Sequence, residues 1–324
     1  ILEQLLSPYE LIATAQSPGQ YVVQRARANK VKMLETTQVQ NEDLKDGSSD
    51  AGYRNEEVSS IGPWQGRALK ETPYSINVAS EDLLQNLQAT STDQVFKINP
   101  LVQLAWPQVQ NDSPYLYARG FLLDDAFARN GVVRHGYNHG LSMEEVAKVE
   151  VFTGLSGFLY GPGNVGGLVN MVIKRPTDER LNSITLGNTS GANFYAHGDF
   201  GGRLGEEGQF GYRINLVAQD GETAIEDQEL KRNFGSVALD WQATDDLLLQ
   251  VDFSTRDYRV DGYQTRWFLD RIEQRPEAKA IQQDTLYSQP WAIQDIQTQR
   301  AGLNMHWNIN DNVVVRAAYL TENT

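Results

Sequence analysis

No cysteine occurs in the 324 residues. Disulfides, thiolate nucleophiles and cysteine metal sites are therefore excluded. A run of ~18 apolar residues is also missing, which excludes a transmembrane helix. That exclusion does not reach β-barrel strands, which alternate in polarity and carry a weak hydropathy signal. Positive charge is in deficit: 28 Lys and Arg against 42 Asp and Glu leave a net charge of −14. A nucleic-acid partner would want a basic patch, and none is expected here. No catalytic triad, P-loop or EF-hand loop is found. Gly154-Leu155-Ser156-Gly157 fails as a G-x-S-x-G nucleophile elbow, because Phe158 stands where the second glycine is needed. The chain opens at Ile1 with neither methionine nor signal peptide and stops at Thr324 inside a strand pattern, so it reads as truncated at both ends.

What is present centres on residues 149–176, VEVFTGLSGFLYGPGNVGGLVNMVIKRP. Val149 to Phe152 and Leu168 to Ile173 are apolar, β-branched runs of strand length. Six glycines lie between them: Gly154, Gly157, Gly161, Gly163, Gly166 and Gly167. That density permits a sharp turn and close backbone approach. Gly161 to Gly166 satisfies G-x-G-x-x-G, but the dinucleotide fingerprint needs a helix opening inside it. A valine-rich strand pattern follows instead, so no helix N-terminus is available for a pyrophosphate.

This stretch resembles the end of the plug domain of TonB-dependent outer-membrane receptors of the ferric-siderophore type. The resemblance is carried by Val149-Glu150-Val151, Leu159-Tyr160-Gly161-Pro162-Gly163, Gly166-Gly167, Val169-Asn170-Met171-Val172 and Lys174-Arg175-Pro176. Two departures show: Thr153-Gly154-Leu155 replaces the usual basic-Gly-Pro, and Ala147-Lys148 replaces the usual Glu-Arg. Both weaken the expectation of the family's charged contacts between plug and barrel wall.

Four segments are expected. Residues 1–27 carry a helical pattern at Leu2, Leu5 and Leu6 and a strand at Tyr21-Val22-Val23, and resemble the end of a signalling domain. Residues 28–57 are polar, charge-mixed and aperiodic, as in a linker. The resemblance places a TonB box there, a segment that adds as a strand to the periplasmic TonB protein. Leu34, Glu35, Thr36, Thr37, Gln38 and Val39 are the candidate, with β-prone Thr36, Thr37 and Val39. Residues 58–176 form the expected mixed α/β plug. Within it, Lys70 to Val78 resembles the first plug strand, and Ser80 is placed to cap a helix bearing Leu83, Leu84 and Leu87. A second helix through Val95 and Phe96 ends at Asn99-Pro100, and Tyr115 to Phe121 resembles the Arg-Gly-Phe strand. Ser142-Met143-Glu144-Glu145 has capping-box spacing.

From Leu181 the pattern becomes strict alternation. Tyr212, Ile214, Leu216 and Ala218 oppose Arg213, Asn215 and Gln219, while Leu247, Leu249, Val251 and Phe253 oppose Gln250, Asp252 and Ser254. Ala301, Leu303, Met305, Trp307 and Ile309 oppose Arg300, Asn304, His306 and Asn308. Such runs reach the ~9–11 residues that cross a bilayer. Tight and long connections alternate, as in outer-membrane barrels. Seven strands are expected in residues 177–324. They form the N-terminal part of a barrel that in plugged transporters closes with ~22 strands.

The resemblance implies a TonB-dependent active transporter of ferric siderophores and no enzyme activity. Iron(III)-siderophore is the transported ligand, with no covalently bound cofactor. The implied partners are TonB with its inner-membrane energising complex, the ferric siderophore, and outer-membrane lipid and lipopolysaccharide. Two alternatives stay open: a transducer that also signals to an anti-sigma regulator, and a non-transporting adhesive or carbohydrate-binding β protein. Candidate ligand residues are Trp106, Tyr115, Tyr117, Arg119, Arg134 and Tyr137, on two loops and one strand that the family points outward. Gln108 and Gln110 are further polar groups on the first loop. Guanidinium and phenol groups suit planar, partly anionic chelates. His135 and His139 are four apart, but Gly136 and Asn138 argue against the helix a zinc pair would use. A solvated loop pair is expected there, and no metal site.

Overall fold

A computed structural model describes residues 11–17, 20–25, 44–58, 66–108, 112, 114–124, 126–134, 140–155, 157–161, 163–264, 273–274, 276–310 and 312–324. The chain divides into two compact units, Ile1–Asp43 and Leu44–Thr324. The described part of the first is a hairpin, β1 (Leu11–Ser17) antiparallel to β2 (Gln20–Arg25). The strand read at Tyr21 to Val23 lies in β2. The helix read at Leu2, Leu5 and Leu6 and the hexapeptide Leu34 to Val39 lie outside the described residues.

In the second unit a mixed sheet forms first. Its strands are β3 (Ser75–Ala79), β7 (Phe127–Arg129), β8 (Val132–Arg134), β9 (Val146–Thr153) and β10 (Gly167–Ile173), in the order β3-β9-β10-β7-β8. β10 runs parallel to β7 and antiparallel to β9. The two apolar runs of the glycine-rich stretch are thus hydrogen-bonded partners, Val151 opposite Val169. Gly167 closes the joint at φ +146°, where a Cβ would lie 2.0 Å from the Phe152 carbonyl oxygen, so no other residue fits. A short helix, Gly157–Tyr160, precedes the G-x-G-x-x-G segment and strand β10 follows it. That order is not the one a dinucleotide site requires.

Two helices cover this sheet. In α1 (Glu81–Asn86) the Ser80 side chain accepts from Leu83 N at 3.3 Å, the N-cap its position suggests. α2 (Thr92–Ile98) opens with a Ser91–Gln94 capping box and ends at Asn99, before Pro100. Leu84, Val95 and Phe96 join Val149, Val151, Val169, Met171 and Phe127 in one apolar core. Two local expectations change. Residues 69–71 are a 3-10 turn, so only the last part of the 70–78 run is strand. Ser142 makes no side-chain cap to the 3-10 turn Met143–Glu145 that follows it.

A three-stranded sheet, β4 (Val102–Leu104), β5 (Leu116–Ala118) and β6 (Phe121–Leu123), packs beside the mixed sheet. Here the Arg-Gly-Phe reading is corrected. Arg119 and Gly120 are not strand but a two-residue hairpin turn with φ of +54° and +85°. Positive φ at both positions matches the twist of the flanking strands.

Seven antiparallel strands follow in chain order: β11 (Leu181–Ser190), β12 (Asn193–Leu204), β13 (Phe210–Asp220), β14 (Glu229–Thr244), β15 (Leu247–Asp261), β16 (Ile293–Asn310) and β17 (Val313–Asn323). One edge carries the turns 205–209 and 245–246 and the short link from Asn310 to Val313. The other carries 191–192, 221–228 and the long connection from Asp261 to Ile293. Burial in this wall is inverted. Along β15, Val251 and Phe253 are exposed, while Asp252, Ser254 and Arg256 are buried. β13 repeats the pattern, with Leu216 exposed and Arg213, Asn215 and Gln219 buried. The exposed apolar positions form a band, with Leu239, Val251 and Leu303 aligned across three strands. On the long-loop side of the band the outward residues turn polar: Asn233, Lys231, Asp257, Arg259, Gln297 and Asp295. The strands therefore outrun the apolar layer on that side only.

Candidate functional site

The inner face of the wall meets the mixed-sheet module through a seam of buried ion pairs. Arg129 on β7 pairs with Asp252 on β15 at 3.0 Å. Lys174 pairs with Asp199 on β12 at 2.9 Å, and Arg175 pairs with Asp240 on β14. Glu81, at the start of α1, accepts from Arg213 on β13 at 2.9 Å. Higher up, Arg232 on β14 forks onto Glu144 at 2.7 and 3.0 Å, and the Tyr195 hydroxyl donates to the same carboxylate at 2.9 Å. Burial pushes the Glu144 pKa up, but the Arg232 charge and these hydrogen bonds outweigh it. The carboxyl ends below its ordinary value. Charged contacts between plug and wall are thus present despite the two departures from the family pattern. The two departing positions do not supply these contacts; Lys148 pairs with Asp46 at 3.1 Å instead. Residues around them do, and their partners are the buried polar face of the alternating strands.

Of the six candidate ligand residues, the structure brings two together. Trp106 and Tyr115 face each other with ring centroids 4.6 Å apart and planes at 56°. Ala105 N donates to the Tyr115 carbonyl at 3.0 Å, extending the β4–β5 ladder by one rung. Tyr117 is exposed on β5, but Tyr115 is buried, so the two phenols do not share one open face. Arg119 sits at the far end of β5 from Tyr115, exposed in its turn and close to Gly154. Arg134 ends β8 and is ion-paired with Glu322 on β17. Tyr137, His135, His139 and Gln110 lie outside the described residues. Gln108 is not an open loop donor: it is buried and bonded to Thr92 and Asp112.

Sequence reading missed the partners that hold this apex. Arg256 on β15 donates to both oxygens of Asp112, at 2.6 and 2.7 Å, and both side chains are buried. Asp93 accepts the Gln108 backbone N–H at 2.9 Å; burial raises its pKa, against the pull of that bond and of Lys97. Charged residues on the face opposite an apolar stripe were the available signal. Arg213, Asp252 and Arg300 gave it, whereas the lone Asp112 in a loop gave none. Among the described residues no group of three or more His, Asp or Glu side chains is placed to hold a metal ion.

An amphipathic strand wall, apolar outside and polar inside, seated on a packed mixed-sheet module defines the architecture of a plugged outer-membrane barrel. Residues 68–168 match the family model of the TonB-dependent receptor plug domain. Over that stretch the chain is similar to the plug of TonB-dependent receptors. It is 27% identical over 252 residues to the ferrichrome receptor FcuA of Yersinia enterocolitica, covering 76% of this chain and 33% of that protein. It is 28% identical over 203 residues to the ferripyoverdine receptor of Pseudomonas aeruginosa, covering 60% of this chain and 24% of that one. The crystal structure of BauA, the ferric preacinetobactin receptor of Acinetobacter baumannii, superposes with a TM-score of 0.72 at 28% identity. That match covers 82% of this chain and 40% of BauA. The chain therefore spans a quarter to a third of the length of these two curated relatives. Both are receptors rather than enzymes.

Proposed function

We propose that this chain is the plug and first barrel strands of a receptor that takes up ferric siderophores by TonB-dependent active transport. The observation that carries the reading is the inverted wall. Its polar face meets the plug through ion pairs at Arg129, Glu144, Lys174 and Arg175. A plug held by ion pairs, with polar wall behind it, can be detached without opening an apolar interface to water. That suits a gate worked by an external pull. The siderophore relatives point to the ligand class.

In this reading residues 58–176 are the plug domain, residues 177–324 the first strands of the barrel, and residues 28–57 the linker. TonB pairs with Leu34 to Val39, and the ligand meets the plug apex through Trp106, Tyr115, Tyr117, Arg119, Arg134 and Tyr137. A transducing form is a second reading. It is favoured by the β1–β2 hairpin, which lies in a compact unit of its own ahead of the plug.

The test is uptake by a strain whose only siderophore receptor is the full protein containing this chain. Iron-55 complexes of ferrichrome, pyoverdine and preacinetobactin are supplied with TonB present and absent. Uptake of at least one complex that vanishes without TonB is expected. Proline at Thr37 removes a main-chain donor and is expected to stop uptake while leaving binding intact. TonB-independent uptake, or no binding of any of the three, would count against the reading.

A further inference from the structure

Between the two loops that carry the candidate ligand residues lies a buried polar junction with no part in the seam below it. Asp112 is its centre. It is 0% exposed and adopts φ +44°, a left-handed conformation that a non-glycine residue holds only when its surroundings fix it. Both carboxylate oxygens receive Arg256, and Oδ1 also accepts Gln108 Nε2 at 3.2 Å. The Asp112 backbone is committed as well. Its N–H donates to the Gln108 carbonyl at 2.6 Å, and its carbonyl accepts Gly140 N at 2.6 Å. A Cβ at Gly140 would lie 2.1 Å from Gln108 Nε2 and 2.8 Å from Asp112 Oδ1, so a side chain there would push the Gln108 amide out of the junction.

The junction continues in both directions. Gln108 Oε1 accepts Thr92 N and Oγ1, at 3.2 and 3.1 Å, which ties the first loop to the start of α2. The Gly140 carbonyl accepts Arg300 Nη2 at 3.3 Å, and Arg300 Nε donates to Glu322 at 2.5 Å. Glu322 is also the ion-pair partner of Arg134. One continuous network thus holds the first loop at Gln108 and Asp112 and the second at Arg134 and Gly140, all against strands β15, β16 and β17. Trp106 lies two residues before Gln108, and Tyr115 three after Asp112.

We propose that the Asp112–Arg256 pair, with Gln108 and Gly140, is the positioning device of the binding site. It sets the separation of the two apical loops and registers them to the barrel wall. Asp112 and Arg256 do not touch ligand in this scheme; they act through Trp106 and Tyr115. The inference rests on the siderophore-receptor reading for its ligand arm only. A pair buried this completely is a directional constraint more than a source of stability, because desolvation offsets much of the attraction. Losing it should therefore loosen the loops more than it weakens the fold.

The experiment places a nitroxide on Pro107→Cys in the full receptor. Pro107 is exposed, and this chain has no other thiol. Asp112→Asn keeps the shape and tolerates left-handed φ. Asp112→Asn with Arg256→Met removes both charges, so a folded variant is available even if the single change leaves Arg256 too costly to bury. Resistance of the unheated barrel to SDS checks folding. The label is expected to be ordered in the parent and mobile in both variants, with the barrel intact. Affinity for whichever of ferrichrome, ferripyoverdine or ferric preacinetobactin the parent binds is expected to fall by about tenfold or more. An unchanged nitroxide spectrum overturns the proposal without reference to any ligand. A mobile loop with unchanged affinity overturns it too. Failure of the parent to bind all three complexes counts against the siderophore reading alone, since the nitroxide readout still decides positioning.

Discussion

In the plug, the buried core is built on Val149, Val151, Val169, Met171 and Phe96; in the wall, the buried side chains include Arg213, Asn215, Asp252, Arg256 and Arg300. Both regions are built from β-strands in one chain, yet their faces are assigned oppositely. The plug is organised against water, so apolar surface goes inside. The wall has lipid on its convex side, so the apolar residues go out and the polar ones turn to the plug. The difference locates the boundary between two solvents at Lys174-Arg175-Pro176. There the chain leaves the mixed sheet, and its two cations bond Asp199 and Asp240 of the wall.

The largest effect is expected where the two regions meet. Arg232→Ala leaves Glu144 buried with its chief partner gone, at a cost of about 3–5 kcal/mol to plug docking. Glu144→Gln in the same background should recover part of the loss. Thermal unfolding of the full receptor measures both. Acid should mimic the lesion. The Glu144 pKa is lowered in the folded state, so its contribution is present above the ordinary carboxylate range and lost as pH falls through the folded value. A receptor equally stable at both ends of that window would remove Glu144 from the seam.

Next in size is a charge on the lipid face. Leu303→Lys, in the apolar band, should cost ~2–4 kcal/mol, and Asn304→Lys on the opposite face far less. Urea unfolding in lipid vesicles compares them. Equal costs would erase the distinction between wall and plug. Smallest is a change confined to the plug. Ser80→Ala removes the α1 cap and should cost about 1 kcal/mol, with no effect on the wall.

The strands and helices were legible where a period repeats. Leu168 to Ile173, Thr92 to Ile98 and the seven wall strands all carry several residues in phase, and register follows from the pattern. Arg119-Gly120 was misread as strand, because two positive φ values leave no mark in a string of Tyr, Arg and Phe beyond one glycine. The site was less legible than the fold. Trp106 and Tyr115 stand nine residues apart and meet only because β4 and β5 pair. Asp112 finds Arg256 across 144 residues, a contact no local pattern encodes. Gln108, read as a free loop amide, proved to be an internal strut for the same reason.

The central claim is that the two regions face different solvents, and site-directed spin labelling in lipid vesicles tests it most directly. Labels go singly on Val251, Asp252, Phe253 and Ser254 of β15, and on Val169 of β10 as the plug control. Oxygen, which partitions into lipid, should relax the labels at Val251 and Phe253 strongly and leave those at Asp252, Ser254 and Val169 nearly untouched. Equal oxygen accessibility along β15, or strong accessibility at Val169, would contradict the assignment of wall and plug.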